Sequence, residues 1–252
     1  MRVPQAPVLH RWSSILIVVA LLLLAAAGGA NAAVVTDTLQ AGLNPNWWSI
    51  TQSGPEFYST TSSAGVTLTE SGTNTLGNWQ GITLQANLAN MLQGASITGD
   101  FQLQSDFSNL SLPTPPSGNY WNEAWLHVGF ADGTALTVMR FSASSGQYVE
   151  GFSTLPVGSV ANGLTAGTFS IARTGSTVNL YIGSTLVAGM SGYSAAVSAI
   201  TMQLWQDTAN PSTVTWSNFS LSVPGLQLPE PSALSLLILA LPLGFCRRRS
   251  SS

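Results

Sequence analysis

The chain has 252 residues, seven arginines, no lysine and ten acidic residues, for a net charge of −3. From Ala33 to Leu228 only Arg140 and Arg173 stand against Asp37, Glu56, Glu70, Asp100, Asp106, Glu123, Asp132, Glu150 and Asp207, and two minus nine leaves −7. That balance speaks against nucleic acid, which requires clustered Lys and Arg, and makes a neutral or cationic partner easier to accept.

In chain order, Arg2, His10 and Arg11 form a positive start, and Ile15 to Ala27 is a continuous apolar run. Ala30-Asn31-Ala32 supplies small residues for cleavage between Ala32 and Ala33. Residues 1–32 therefore read as a secretory signal peptide, with signal peptidase as a processing partner. No cysteine lies near that site, which disfavours a lipoprotein.

The body that follows, 33–223, alternates apolar and polar residues almost throughout. Val66-Thr67-Leu68-Thr69 and Asp100 to Phe107 alternate, as do Leu126, Val128 and Phe130 with His127 and Gly129 between them. Phe169, Ile171 and Arg173 lead through Thr174-Gly175-Ser176 to Val178, Leu180 and Ile182, a β-hairpin signature. Met202 and Leu204 alternate with Gln203 and Trp205, and a last strand opens at Val214 and Trp216 and runs through Phe219, Leu221 and Val223. Trp216 is expected in the core. Leu84 to Leu92 is the one stretch read as helical, and a short helix is expected there. The sole cysteine, Cys246, lies outside the body, so packing and hydrogen bonds must hold the fold without a disulfide. About a dozen strands in one disulfide-free body predict an all-β fold: a two-sheet antiparallel sandwich, or jelly roll.

A linker, 224–228, leads to Pro229-Glu230-Pro231, an apolar run from Ala233 to Cys246, and Arg247-Arg248-Arg249. The arginines resist translocation and hold the C-terminus on the cytoplasmic side. The apolar run is short against the ~20 residues of a spanning helix, and Pro242 interrupts it. An ordinary tail anchor is the plainer reading, yet such a segment suits transient anchoring better. These three parts in this order resemble the PEP-CTERM sorting signal of Gram-negative, biofilm-forming bacteria, over about the final tenth of the chain. The resemblance implies a hydrophobic sorting helix, transient membrane contact, processing by an exosortase, and delivery to the cell surface or extracellular matrix.

Gly99-Asp100-Phe101-Gln102-Leu103, Thr168 to Gly175, Val178 to Ile182 and Val214-Thr215-Trp216-Ser217-Asn218-Phe219 carry a second likeness. The body resembles the concanavalin A-like lectin/glucanase superfamily, which includes laminin G-like modules. Retaining glycosidases on that fold place carboxylates at alternate positions of one strand, as Glu-x-Asp-x-x-Glu or Glu-x-Asp-x-Glu, so that they share a face. This chain has no such cluster. Glu123, Asp132 and Glu150 are isolated in sequence, and Asp100 and Asp106 would stand ~20 Å apart; all five are expected as solvated acids. His127 is the sole histidine of the body, without a serine-nucleophile motif or a second histidine for a metal. It is expected to face the sheet surface. No catalytic residue is assigned. No cofactor is expected, although the lectin likeness admits calcium, with Asp132 and Asp207 as candidate ligands. Lone acids in turns more often bond locally.

Aromatic residues give the best binding signal. Tyr120-Trp121-Asn122-Glu123-Ala124-Trp125 follows the proline-rich stretch from Leu112 to Gly118, and Trp205-Gln206-Asp207 is a second such cluster. Aromatic faces stack on sugar C–H faces while Asn, Glu and Asp bond hydroxyls. Core filling is the competing role for each tryptophan. The candidate glycan-binding set is Tyr120, Trp121, Asn122, Glu123, Trp125, Trp205 and Asp207, with exopolysaccharide as the partner. Asn109-Leu110-Ser111 and Asn218-Phe219-Ser220 match the N-glycosylation pattern, which carries little weight beside a bacterial sorting signal. The expected function is a non-catalytic structural, adhesive or carbohydrate-binding protein of the surface or matrix. The alternative is a polysaccharide hydrolase or lyase using unpaired acids such as Glu123 or Glu150.

Overall fold

The computed structural model describes residues 32–116, 120–153, 156–161, 163–226 and 228. Ala30, Pro229, Glu230, Pro231, the hydrophobic segment expected as a sorting helix, and Arg247 to Arg249 lie outside the described residues. Among the described residues no helix is long and apolar enough to cross a membrane.

Strands account for almost all the regular structure. In chain order they are β1 (Ala33–Asp37), β2 (Trp48–Gln52), β3 (Phe57–Ser62), β4 (Gly65–Glu70) and β5 (Gln80–Ala86). Then come β6 (Phe101–Ser111), β7 (Trp121–Phe130), β8 (Ala135–Ala143), β9 (Gly146–Phe152) and β10 (Pro156–Ala161). The chain closes with β11 (Gly167–Thr174), β12 (Thr177–Ile182), β13 (Thr185–Ser191), β14 (Val197–Gln206) and β15 (Ser212–Val223). They form two antiparallel sheets. One has the order β13-β12-β11-β6-β15-β4-β3, with β1 also paired to β15; the other has the order β10-β9-β8-β7-β14-β5-β2.

The two sheets bury their facing sides against each other. Leu126, Val128, Val138, Ile200, Met202 and Leu204 of one sheet join Leu103, Phe169, Ile171, Leu180, Trp216 and Leu221 of the other in one core. Trp216 is fully buried, and Phe169 packs 6.1 Å from it and stacks 4.5 Å from Phe107 between ring centroids. The hairpin read at Thr174-Gly175-Ser176 is present: Thr174 pairs with Thr177 around a two-residue turn, with Gly175 at φ 60°. Asp100 accepts from the Gly175 amide at 2.7 Å.

One expectation fails. Residues 84–92 are not a helix: Ile82, Leu84 and Ala86 point inward from β5, which pairs with both β14 and β2. Period-two burial between two neighbours prevails over the local helical look. Only Leu88–Met91 forms a helical turn, α1, where the Asn87 carboxamide oxygen accepts from the Asn90 amide at 3.2 Å.

Asn109 and Asn218, the glycosylation-pattern residues, are bulge positions with φ 51° and 50°. Left-handed backbone favours asparagine among side-chain-bearing residues. Each also ties the β6–β15 ladder across its irregularity, Asn218 to the Asp106 carboxylate at 2.8 Å and Asn109 to the Thr215 hydroxyl at 3.4 Å.

Candidate functional site

Because Ala124, Leu126 and Val128 face the core, Trp121, Glu123, Trp125 and His127 face outward from β7. Antiparallel register lines them up with outward residues of neighbouring strands. Trp205, Glu123, Phe141 and Tyr148 form one cross-strand row. Gln203, Trp125, Met139 and Glu150 form the next, and Thr201, His127, Thr137 and Phe152 the third. On this outer face of the seven-stranded sheet lies a cleft of about 550 Å³, bounded by Trp79, Trp121, Trp125, Phe141, Glu150 and Asp207 with Glu123 and Met139 in its floor.

Three indoles make its apolar wall, and a fourth, Trp205, backs them. Trp79 lies 5.5 Å from Trp205 at an interplanar angle of 35°, Trp125 lies 6.4 Å from Trp205, and Trp79 meets Trp121 nearly edge-on at 6.2 Å. Trp205 lies across Gly81, its β5 partner: a Cβ there would come 2.5 Å from the indole Cγ and Cδ2. Glycine at 81 therefore lets the indole lie close to the sheet.

Trp79 arrives on the loop between β4 and β5, and that loop is pinned by buried polar groups. The Glu70 carboxylate accepts from the amides of Gly72, Thr73 and Asn74 at 2.8, 3.1 and 3.1 Å. Asn74 donates to the carbonyls of Asn78 and Gln206, and the Gly77 amide donates to the Asp207 carbonyl at 2.8 Å. The loop is thus fastened to the end of β14, with Trp79 still 39% exposed.

The floor is electrostatically unusual. Glu123 is only 5% exposed, and among the described residues no hydrogen bond engages its carboxyl. Burial pushes its pKa up to about 8, with the carboxylates of Glu150 and Asp207 adding to the rise. Burial also raises Glu150 and Asp207. For Asp207 a hydrogen bond accepted from the Trp121 amide, at 2.8 Å, opposes the rise. His127 is held below its usual range by burial, with Nδ1 2.9 Å from the Thr137 hydroxyl.

The two sequence clusters therefore meet: Trp121, Glu123 and Trp125 of β7 share one cleft with Asp207, just past the end of β14, while Trp205 pairs with Glu123 and packs behind the cleft wall without lining it. Tyr120 stands just before β7 beside Gly77 and does not bound it. Asn122 is turned to the opposite side and fully buried, donating to the Pro113 carbonyl at 2.6 Å and accepting from the Thr208 hydroxyl at 2.9 Å. Glu123 is not the solvated, isolated acid expected from sequence, and Glu150 is its neighbour rather than a separate group. Asp132 does remain exposed, and its carboxylate closes the β7–β8 turn on the Thr134 amide and hydroxyl, which hold its pKa low. Among the described residues no three His, Cys, Asp or Glu side chains are grouped to hold a metal ion.

Trp79, Met139, Phe141 and Phe152 were not singled out in the sequence. Arg140 lies between Met139 and Phe141 but faces inward, in register with Ala124 and Val149. Its guanidinium is spent on the carbonyls of Phe141, Tyr148 and Leu164 and on the Gln147 side chain.

Aromatic faces beside buried carboxyls can stack on a flat ligand face and bond its polar substituents. No family model matches this chain, and no curated protein matches its sequence. Solved structures match its fold. A galectin-like protein of unknown function from Bacillus subtilis superposes with a TM-score of 0.54 at 8% identity, over 77% of this chain and 97% of that one. The marine PL7 alginate lyase AlyA1 from Zobellia galactanivorans gives 0.53 at 13% identity, over 71% and 96%. The carbohydrate recognition domain of Emp47p gives 0.50 at 11% identity, over 78% and 98%. At these identities the likeness is one of fold, a concanavalin-like jelly roll.

Proposed function

We propose that this chain is an exported surface or extracellular-matrix protein whose outer cleft binds carbohydrate without transforming it. The observation that carries the reading is the wall of three tryptophans, Trp79, Trp121 and Trp125, over three carboxyl groups on one sheet face. Two of the fold's relatives are, by name, an alginate lyase and a carbohydrate recognition domain. Export rests on the signal peptide and on the Pro229-Glu230-Pro231, apolar and arginine segments, which imply signal peptidase, an exosortase and a transient membrane stage. Exopolysaccharide is the partner this placement offers.

Titration of intrinsic tryptophan fluorescence with soluble glycan oligomers tests the binding. Saturable change, lost in Trp79→Ala and Trp125→Ala variants, is the expected result. Absence of any response to neutral, amino and acidic oligomers would remove the reading. Intact-mass measurement of protein recovered from the native cell surface tests the sorting. Loss of the chain beyond about Pro231 is expected for a sorting signal, whereas retention of Ala233 to Ser252 would mean a plain anchor.

A polysaccharide hydrolase or lyase is the second reading, favoured by one observation. Glu123 is held protonated at neutral pH beside a second carboxyl, the pairing that acid and base catalysis requires. Against it, β7 presents one carboxyl between two tryptophans instead of carboxylates at alternate positions. Product analysis after prolonged incubation with bound oligomers separates the two: cleavage abolished by Glu123→Gln would establish the enzyme.

A further inference from the structure

We infer that the cleft selects a cationic glycan, one whose sugars carry free, protonated amino groups. The inference rests on the carbohydrate reading above and narrows it to a chemical class.

The first support is an unanswered charge balance. Glu123, Glu150 and Asp207 border one cleft, and among the described residues no basic side chain borders it. The chain has no lysine to lend. Arg140 is turned to the inner side of the sheet and engaged there by carbonyls. Arg173 lies in the other sheet, holding the carbonyls of Gly99 and Ala195. Any countercharge for these acids, Glu123 included once it ionises, therefore comes from solvent or from a ligand.

The second support is independent of charge counting. Glu123 is 95% buried in the cleft floor, and its carboxyl has no hydrogen-bond partner among the described residues. Its oxygens are not among the unpartnered polar atoms sealed from solvent, so the carboxyl opens into the cleft, where a ligand donor can meet it. An ammonium group brings three donors and a full charge. The walls fit the same ligand, because indole faces attract cations as well as sugar C–H faces. Trp79, Trp121 and Trp125 border the cleft and offer it π surface, with Trp205 packed behind Trp79 and Trp125 at 5.5 and 6.4 Å.

These features also exclude. A polyuronate would set its carboxylates against three acids with no cation to bridge them. A neutral or N-acetylated sugar would stack on the indoles but leave the acids without countercharge.

Four tetrasaccharides test this on the full chain, by tryptophan fluorescence at low ionic strength: β-1,4-linked glucosamine, its fully N-acetylated form, cellotetraose and a uronate tetramer. The first three share one backbone linkage and differ at C2. The glucosamine tetramer should bind at least ~10-fold more tightly than cellotetraose, lose that advantage on N-acetylation, and weaken steeply with added salt. The uronate should not bind. Glu123→Gln, and separately Glu150→Gln at a more exposed position, should each bring the ratio between the glucosamine and cellotetraose constants toward one. Equal affinity for those two tetramers, or a ratio that both variants leave intact, would overturn cation selection while the carbohydrate reading stands. Silence towards all four would overturn both.

Discussion

Glu123 should make the stability of this fold fall as pH rises through neutrality. The unfolded carboxyl titrates near 4.5, whereas the folded one is pushed up to about 8 by burial and by Glu150 and Asp207. Below 4.5 both states hold the proton and pH has no leverage. Between the two values the folded chain keeps a proton that the unfolded chain has released, so each pH unit removes about 1.4 kcal/mol. Over the whole window that is about 5 kcal/mol at most, and above about 8 the curve flattens. For a body of this size such a change corresponds to roughly 10–20 °C in Tm. Glu150 and Asp207 are raised as well, so they slope the same way. The clean quantity is therefore the difference between wild type and Glu123→Gln. Urea denaturation at several pH values from about 5 to 9 should show the variant gaining on wild type as pH rises. A difference that stays constant across that range would mean that Glu123 titrates normally, and the buried-acid account of the cleft would be wrong.

Other consequences follow from single contacts. Gly81→Ala should cost about 1–3 kcal/mol and shift tryptophan emission, because the new Cβ meets the Trp205 indole at 2.5 Å and the Leu204 carbonyl oxygen at 2.6 Å; unchanged denaturation midpoint and emission would count against it. Arg173→Lys should lower Tm by about 5–15 °C, since one ammonium cannot span the carbonyls of Gly99, Ala195 and Ile97 from between the rings of Phe101 and Phe130. Asp207→Ala leaves the Trp121 amide without its acceptor and should cost about 1–3 kcal/mol by denaturant titration, while Asp207→Asn keeps an acceptor and should recover most of it.

The sandwich was legible because alternation is a local property. Each of Leu126–Val128–Phe130, Phe169–Ile171 and Met202–Leu204 declares its buried face over a few residues. The helix expected at Leu84 to Leu92 failed because β5 is framed by β14 and β2, partners that no local window contains. The binding clusters were legible as two pieces. What joins them is the register that sets Glu123 opposite Trp205, a pairing between residues far apart in sequence. Asn122 could have been excluded from the sequence: extending the Leu126 and Val128 alternation back along the strand already puts it inward with Ala124. Trp79 had no such signal, since its place depends on Glu70 and Asn74 folding a loop onto Asp207 and Gln206.

Glu123 then ties stability to binding. Natural cores rarely keep an unpaired carboxyl at full burial, because apolar replacement is usually neutral or better. Here the group sits outward of the core, under the indoles, where a hydrophobic residue would pack at least as well for folding alone. Its cost at neutral pH is thus a cost of the cleft rather than of the sandwich. A ligand ammonium would favour the ionised form and pull the pKa down, so binding at a pH low enough for the ligand amines to be fully protonated beforehand should release a proton from the cleft. Calorimetry in two buffers of different ionisation enthalpy reads that proton directly, up to about one per site. A neutral sugar that only stacks would release none, and binding enthalpies identical in both buffers would show that Glu123 stays protonated beneath its ligand.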